Sequence, residues 1–170
     1  IISLLEAGIY VDIPEPFDTL EENAIEKASV IYNLTKTSCF SEDTGLEVES
    51  LGGEPGVHSA RYAGDERSSQ KNLEKLLERL QNNNNRNAQF KTVICLLWQG
   101  NQYLFEGICK GQIITEMKGS EGFGYDPVFV PDGANKTFGE MGITEKSKYS
   151  HRRKALDKLV VFLNNIGQIQ

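Results

Sequence analysis

The sequence has few of the residues that stabilise small secreted domains or build histidine-rich metal sites. Its 170 residues include three cysteines, two histidines and one tryptophan. Cys39, Cys95 and Cys109 are odd in number and widely spaced, which fits neither a disulfide framework nor a paired zinc site. Cys95 and Cys109 lie in apolar stretches, so we expect them to be buried thiols.

Long apolar runs are also absent from the sequence, and positive charge is scarce. No run approaches the roughly 20 residues of a membrane helix, and no cationic-then-apolar secretory leader is present. We therefore expect a cytoplasmic protein with no membrane partner. The formal charge of −6 disfavours binding to a nucleic-acid polymer, which requires clustered cations. A nucleotide is not excluded, because a divalent metal can reverse the local sign of charge.

The remaining pattern predicts one α/β domain spanning residues 1–170, with a sheet flanked by helices. Thr19 and Glu22 match a capping box before a helix that runs to about Leu34. A second helix is predicted after Ser68 or Ser69, and a last one after Ser150. The predicted strands are Ser38–Phe40, Phe90–Trp98, Tyr103–Cys109 and Gln112–Thr115.

The acidic segment Ser41–Gly45 follows the first predicted strand, and we expect it to form a turn. Its carboxylates and the Thr44 hydroxyl are hard oxygen ligands that suit magnesium. A carboxylate such as Asp43 could also activate water; alternatively, it satisfies backbone amides within an acidic turn. Glu15, on the loop before the first helix, could complete a metal site, although helix capping also explains the acids in this region.

The glycine-bearing loop from Gly119 to Pro127 has the composition of a base-binding pocket. Glycines on both sides of Phe123 would let a planar ligand approach the backbone closely. Phe123 and Tyr125 offer stacking surfaces, and Asp126 could accept hydrogen bonds from ring nitrogens. The alternative is a tight loop whose aromatic side chains fill the core.

Basic residues accumulate just before and at the start of the last predicted helix. Lys146, His151 and Arg152 oppose the helix dipole there, which is unfavourable unless they serve another purpose. A helix N-terminus with added cations is a good anion site and could hold phosphates or purine carbonyl oxygens. The alternative is a solvated basic patch.

Several motifs together resemble the inosine triphosphate pyrophosphatase family, also called the non-standard purine NTP pyrophosphatases. The resemblance covers about residues 12 to 163 and implies an elongated two-lobed α/β fold. In such a fold a long mixed central sheet supports both lobes, and the active-site cleft lies between them. It also implies a homodimer that uses Mg²⁺ to hydrolyse ITP, dITP or XTP to the monophosphate and pyrophosphate. The motifs are Ser41–Val48, Gly52–Gly56, Ser59–Gly64, Gly122–Phe129, Thr137–Met141 and Ser150–Arg152.

The resemblance also implies roles for individual residues. Asp43 matches the family's catalytic proton acceptor and metal ligand, and Glu15 corresponds to the second metal carboxylate. The residues that correspond to nucleotide contacts are Thr44, Phe123, Gly124, Tyr125, Asp126, Lys146, His151 and Arg152.

One feature departs from the family pattern. Members usually begin with a strand, a Thr-Gly-Asn-x-x-Lys loop resembling a phosphate cradle, and a helix, whereas this sequence starts at Ile1, just beyond that helix. We expect the sequence to omit an N-terminal segment. Two alternatives remain open: a nucleotide-binding module without turnover, and a related pyrophosphatase for other modified nucleotides.

Overall fold

The computed structural model of the protein describes residues 1–167, which contain both helices and strands. The predicted single domain extends to residue 170, and its last three residues lie outside the described part. The α/β class, with a sheet flanked by helices, is confirmed. The elements are α1 (Leu20–Thr35), β1 (Cys39–Val48), β2 (Pro55–Gly56), α2 (Ser69–Arg79), β3 (Asn87–Trp98), β4 (Asn101–Ile113), β5 (Phe129–Pro131), α3 (Ile143–Lys146) and α4 (His151–Gly167).

The five strands form one sheet in the order β2-β1-β3-β4-β5, and each neighbouring pair is antiparallel. β1 pairs with β3 along its whole length, whereas β2 covers β1 only at Leu46 and Glu47. Within residues 1–167, the other edge of β1 therefore has no neighbouring strand from Cys39 to Gly45.

The acidic segment lies inside β1, so the prediction of a turn at Ser41–Gly45 is wrong. These five residues pair in register with Lys91–Cys95 of β3 and extend the strand far beyond the predicted Ser38–Phe40. Glu, Asp and Gly have low strand propensity, but pairing with a buried central strand outweighs that local preference.

The predicted helix starts are confirmed because capping is local chemistry. Thr19 Oγ1 accepts a hydrogen bond from the amide of Glu22 at 3.2 Å, and Ser68 Oγ accepts one from the amide of Lys71 at 3.3 Å. Ser150 likewise accepts from the amide of Arg153, so α4 begins at His151. None of the helices in the described part of the chain is long and apolar enough to cross a bilayer.

Two helices cover the two faces of the sheet. On one face, α1 packs against β1 and β3; on the other, α4 packs against β3 and β4. The buried side chains are Leu20, Ala24, Ala28, Val93, Cys95 and Leu97 on the first face and Ile94, Leu96, Ala155 and Leu159 on the second. A larger aromatic cluster at the far end of the sheet includes Phe90, Phe129 and Phe138.

Gly107 of β4 allows the first turn of α4 to lie directly on the sheet. A Cβ at this position would lie 2.6 Å from the backbone nitrogen of Ala155 and would overlap the carbonyl oxygen of His151. The placement of the basic residues at the start of α4 therefore depends on glycine at position 107, which has no side chain to hold the helix away from β4.

We expect Gly107→Ala to lower the free energy of unfolding by roughly 1–3 kcal/mol, because the new methyl group forces α4 away from β4. Chemical denaturation measures this change. Gly142→Ala is the control, since a Cβ there meets no atom within 4 Å. Equal stabilities of the two variants would contradict the close contact between α4 and β4.

Candidate active site

Strand β1 separates two groups of functional side chains. Asp43 accepts a hydrogen bond from Lys27 of α1, whereas Thr44 bonds to Thr92 of β3 and lines a cavity beneath α4. Successive side chains of a strand point to opposite faces of the sheet. The two adjacent residues therefore belong to different halves of the site.

On the α1 face, Glu15, Lys27 and Asp43 form what we call the carboxylate–lysine cluster. Lys27 Nζ lies 2.6 Å from Glu15 Oε1 and 2.8 Å from Asp43 Oδ1. Arg61 Nη1 adds a longer ion pair of 3.6 Å to Glu15 Oε2. Glu15 enters from the loop before α1, so three segments separated along the chain meet at one ammonium group.

The surroundings move the pKa values of the two carboxyl groups in opposite directions. Burial raises the pKa of Asp43, and the hydrogen bond and charge of Lys27 offset this only in part. Burial also acts to raise the pKa of Glu15, but Lys27 and the nearby Arg61 outweigh it, so the pKa of Glu15 is lowered. Asp43 thus becomes a better proton acceptor, while Glu15 stays ionised.

The carboxylate–lysine cluster has donors of the kind that a hard divalent cation prefers. One oxygen of Glu15 and one of Asp43 both lie within 2.8 Å of the same cationic nitrogen, so they already converge on a point of positive charge. Mg²⁺ commonly takes one or two carboxylates and keeps waters or phosphate oxygens as its other ligands. Between residues 1 and 167, no three or more His, Cys, Asp or Glu side chains come together as a metal site. Glu15 and Asp43 could therefore supply two ligands of such a cation, and other oxygen ligands would complete its coordination.

On the opposite face, a cavity of about 280 Å³ lies between the start of α4, the Phe123 loop and the turn at Ser59. It brings together eight residues predicted from the sequence: Thr44, Phe123, Gly124, Tyr125, Asp126, Lys146, His151 and Arg152. A larger and shallower depression of about 530 Å³ near Asn87 and Lys110 contains none of them.

Phe123 is the exposed aromatic surface of the cavity. Phe123 is 65% exposed, and its ring centroid lies 5.4 Å from Lys146 Nζ and 5.2 Å from Arg152 Cζ. A large aromatic side chain left open to solvent beside two cations is suited to stacking against a planar, electron-rich ligand.

The buried carboxylate of Asp126 shapes the Phe123 loop. Its Oδ2 accepts hydrogen bonds from the Phe123 amide at 2.8 Å and from Lys146 Nζ at 2.5 Å. Gly122, at φ +77°, leaves room for this carboxylate, because a Cβ there would overlap it. Asp126 thereby holds both the loop and the cation of the cavity in place.

Tyr125 forms a wall of the cavity. Its ring is buried, and its hydroxyl donates a 2.8 Å hydrogen bond to the carbonyl oxygen of Ser59. Burial raises the pKa of Tyr125, so the hydroxyl keeps its proton. Gly124, at φ +60°, makes the turn between this anchored ring and the exposed Phe123. Tyr125 therefore ties the two sides of the cavity together.

His151 is a neutral imidazole under the floor of the cavity. Its ring stacks on Phe90 with centroids 4.8 Å apart and an interplanar angle of 11°. Burial, reinforced by Arg152, Lys146 and Lys154, lowers the pKa of His151 to about 3. Its Nδ1 is buried and has no hydrogen-bond partner within the described residues. His151 therefore contributes a neutral, packed ring to the cavity rather than a charge.

Arg152 is held by a weaker contact. Its Nε lies 3.2 Å from Glu42 Oε1, but the atoms are not aligned for a hydrogen bond, and both side chains are about two-fifths exposed. Such surface pairs contribute little to stability. Arg152 can therefore exchange Glu42 for an anionic or carbonyl-bearing ligand at small cost.

The sequence analysis missed Lys27, which joins the two carboxylates. Lys27 lies on the buried stripe of α1 that includes Ala24, Ala28 and Ile31, and its side chain is only 17% exposed. A lysine on the core-facing stripe of an amphipathic helix indicates a buried carboxylate partner. That signal was present in the sequence.

Comparison with known proteins decides the family. The model of the Ham1 family matches residues 1–162. The chain belongs to the Ham1 family. The Ham1 relatives include the dITP/XTP pyrophosphatase of Christiangramia forsetii, 52% identical over 96% of this chain and 86% of that protein. Another is the dITP/XTP pyrophosphatase of Porphyromonas gingivalis, 48% identical over 96% of this chain and 84% of the relative.

Solved structures of Ham1 proteins share the fold. The Staphylococcus aureus Ham1 protein has a TM-score of 0.88 and 40% identity, covering 91% of this chain and 81% of its own. A nucleoside-triphosphatase or dITP/XTP pyrophosphatase from Mycobacterium abscessus has a TM-score of 0.81 and 37% identity, covering 93% of this chain and 85% of its own.

The low pKa of His151 predicts a pH dependence of stability. An unfolded histidine gains a proton below about pH 6.5, whereas the folded His151 stays neutral down to about pH 3. Stability from this group is therefore present above pH 6.5 and is lost as the pH falls. Between pH 7.5 and 5.0 the free energy of unfolding of the wild type should fall by roughly 2 kcal/mol more than that of His151→Gln. Denaturant unfolding at each pH measures this difference.

Phe90→Leu is the control, because it weakens the packing around His151 but keeps the titrating ring. We expect this variant to be less stable than the wild type at every pH, while its free energy of unfolding changes with pH almost as steeply as that of the wild type. If the free energy of unfolding of the wild type and of His151→Gln changed in parallel with pH, the pKa of His151 would not be lowered in the folded protein, which would contradict the prediction.

Proposed function

We propose that this chain hydrolyses the non-standard purine nucleotides dITP, ITP and XTP to the nucleoside monophosphate and pyrophosphate. One observation carries the proposal: an exposed aromatic ring flanked by cations lies on the other side of β1 from a pair of converging carboxylates. The names of the related dITP/XTP pyrophosphatases support this substrate class. Because such substrates arise in the nucleotide pool, we propose that the protein acts in the cytoplasm.

The nucleotide would extend from the cavity to the carboxylate–lysine cluster. Its base would stack on Phe123 in the cavity, and its phosphates would reach towards Glu15 and Asp43 on the other side of β1. This path places a phosphorus atom near Asp43 while the base stays on the opposite face.

Selectivity for the base would follow from hydrogen-bond polarity. Lys146 and Arg152 border the Phe123 ring and carry only donors. They would bind the six-position carbonyl of hypoxanthine or xanthine, whereas the amino group of adenine would leave a donor facing a donor. Unpaired polar groups in a closed site are costly, so such a pocket discriminates strongly.

Asp43 would accept the proton of the attacking water. The water oxygen forms a bond to the α-phosphorus, the bond to the bridging oxygen breaks, and pyrophosphate leaves. The raised pKa of Asp43 favours this role, and Lys27 fixes the carboxylate in position. We propose Mg²⁺ as the cofactor, held by Glu15 and Asp43, where it would neutralise phosphate charge and make water more acidic.

Pyrophosphate release from dITP, XTP, GTP and ATP, with and without Mg²⁺, tests this proposal. We expect release from dITP and XTP well above GTP and ATP, and only with the metal. Asp43→Asn should lower kcat by on the order of a thousandfold, because it removes the proton acceptor, and should still bind nucleotide. Asp157→Asn, an exposed carboxylate on α4, is the control and should be fully active.

Each contrary result identifies a different function. Nucleotide binding without pyrophosphate release at any metal concentration would indicate a binding module. Faster release from modified pyrimidine triphosphates would indicate a related pyrophosphatase with another substrate. Near-normal turnover by Asp43→Asn would remove Asp43 from the chemistry.

We also propose that the protein is a homodimer. Phe40, Leu156 and Val160 are apolar side chains that are 39–45% exposed on the α4 face. Arg152 contacts Glu42, Leu156 and Val160 follow Arg152 at successive turns of α4, and Phe40 lies two residues from Glu42 on β1. Exposed apolar side chains of this kind favour an interface between proteins.

Light scattering coupled to size-exclusion chromatography tests the dimer. The double variant Leu156→Lys and Val160→Lys should raise the dimer dissociation constant by about tenfold or more, because it buries two charges in an apolar contact. Val161→Lys is the matched control, since Val161 is 59% exposed but lies about 100° from Val160 around the helix. A dimer of unchanged strength in the double variant would place the interface elsewhere.

A further inference from the structure

We infer that Thr92 is a positioning residue that makes the hydroxyl of Thr44 a hydrogen-bond donor into the cavity. The inference rests on the proposed function, in which Thr44 contacts the substrate. Thr92 lies at the centre of β3, directly opposite Thr44 of β1 in the register of the two strands. The two hydroxyl oxygens are 2.7 Å apart.

The burial of Thr92 decides which hydroxyl donates. Thr92 has no solvent exposure, and among the described residues its hydroxyl has a single hydrogen-bond partner, Thr44. If Thr44 were the donor, the proton of Thr92 would be left unpaired in the interior, which costs more than an ordinary hydrogen bond contributes. Thr92 therefore donates, and Thr44 accepts.

Thr44 is only half-buried and forms part of the cavity wall. Because one lone pair of its oxygen is occupied by Thr92, its own proton is free to point into the cavity. The side chain is β-branched, so its χ1 angle is restricted as well. The result is a hydroxyl prepared to donate to an oxygen of the nucleotide, with no reorganisation when the ligand arrives.

The two hydroxyls would act as a chain once substrate binds. A hydrogen bond that a hydroxyl accepts strengthens the one that it donates, so Thr92 would reinforce the bond from Thr44 to an anionic or carbonyl oxygen. The competing interpretation is a cross-strand pair that only stabilises the sheet. The two differ in what happens to ligand binding when the Thr92 hydroxyl is removed without change of shape.

The test compares Thr92→Val, which keeps the shape but removes the hydroxyl, with Thr92→Ser, which keeps the hydroxyl. We expect Thr92→Val to lose about tenfold in kcat/KM for dITP and a similar factor in dITP affinity measured by calorimetry without metal. Thr92→Ser should stay within about twofold of the wild type. Thr35→Val is the control, because its hydroxyl bonds to the carbonyl oxygen of Ile31 on α1, away from the cavity.

A double-mutant cycle separates positioning from packing. If Thr92 acts through Thr44, the double variant Thr44→Val and Thr92→Val should have the same dITP affinity and kcat/KM as Thr44→Val alone. Additive losses, or a Thr92→Val variant with wild-type affinity and kcat/KM, would overturn the inference. A loss shared equally by Thr92→Ser would also overturn it, because the hydroxyl would not be the cause.

Calorimetry distinguishes this inference from the proposed function. Wild-type protein that binds dITP but releases no pyrophosphate would contradict the function, and the affinities of the Thr92 variants would still decide the role of Thr92. Wild-type protein that neither binds nor hydrolyses dITP would overturn both.

Discussion

The pairing of β1 with β3 is the constraint on which the site depends. Ten consecutive residues of β1 are held opposite β3, from Cys39 to Val48. Asp43 and Thr44 must therefore face opposite sides of the sheet, one towards Lys27 and the other towards the cavity. A slip of one residue would exchange the two faces and place the carboxylate under α4. The separation of the carboxylate–lysine cluster from the cavity is thus set by backbone register.

Opposite charges keep the functional groups of both halves in place. The ammonium of Lys27 holds Glu15 and Asp43, and the carboxylate of Asp126 holds Lys146 together with the amide of Phe123. Each ion is partly or wholly buried, so removal of one partner would leave the other uncompensated. The neutral state of His151 belongs to the same arrangement, since a further positive charge beside Lys146 and Arg152 would add repulsion in a buried place. A chain with a net charge of −6 thereby concentrates its cations where an anion would bind.

The sequence predicted what depends on local chemistry and missed what depends on distant contacts. The caps at Thr19, Ser68 and Ser150 could be identified because the capping groups are neighbours in the chain. The acidic segment was assigned to a turn because its pairing partners lie about 50 residues away in β3. The position of Lys27 on the buried stripe of α1 is visible in the sequence, whereas the identity of its two carboxylate partners depends on other segments. The eight cavity residues could be named together only because motif resemblance carries long-range information that composition and periodicity lack.

The hydrogen-bond donors in the cavity wall explain how the proposed site would treat different purines. Oδ2 of Asp126 accepts from Lys146 and from the Phe123 amide, and the carbonyl oxygen of Ser59 accepts from Tyr125. Lys146, Arg152 and Thr44 line the same cavity and can donate to a ligand. A six-position carbonyl and phosphate oxygens would find partners in these three groups. An amino group that faces them, at the six-position of adenine or the two-position of guanine, would be an unpaired donor, which is costly to bury. Hypoxanthine has no group at the two-position and xanthine has an acceptor there, so neither base would turn an amino group towards these donors.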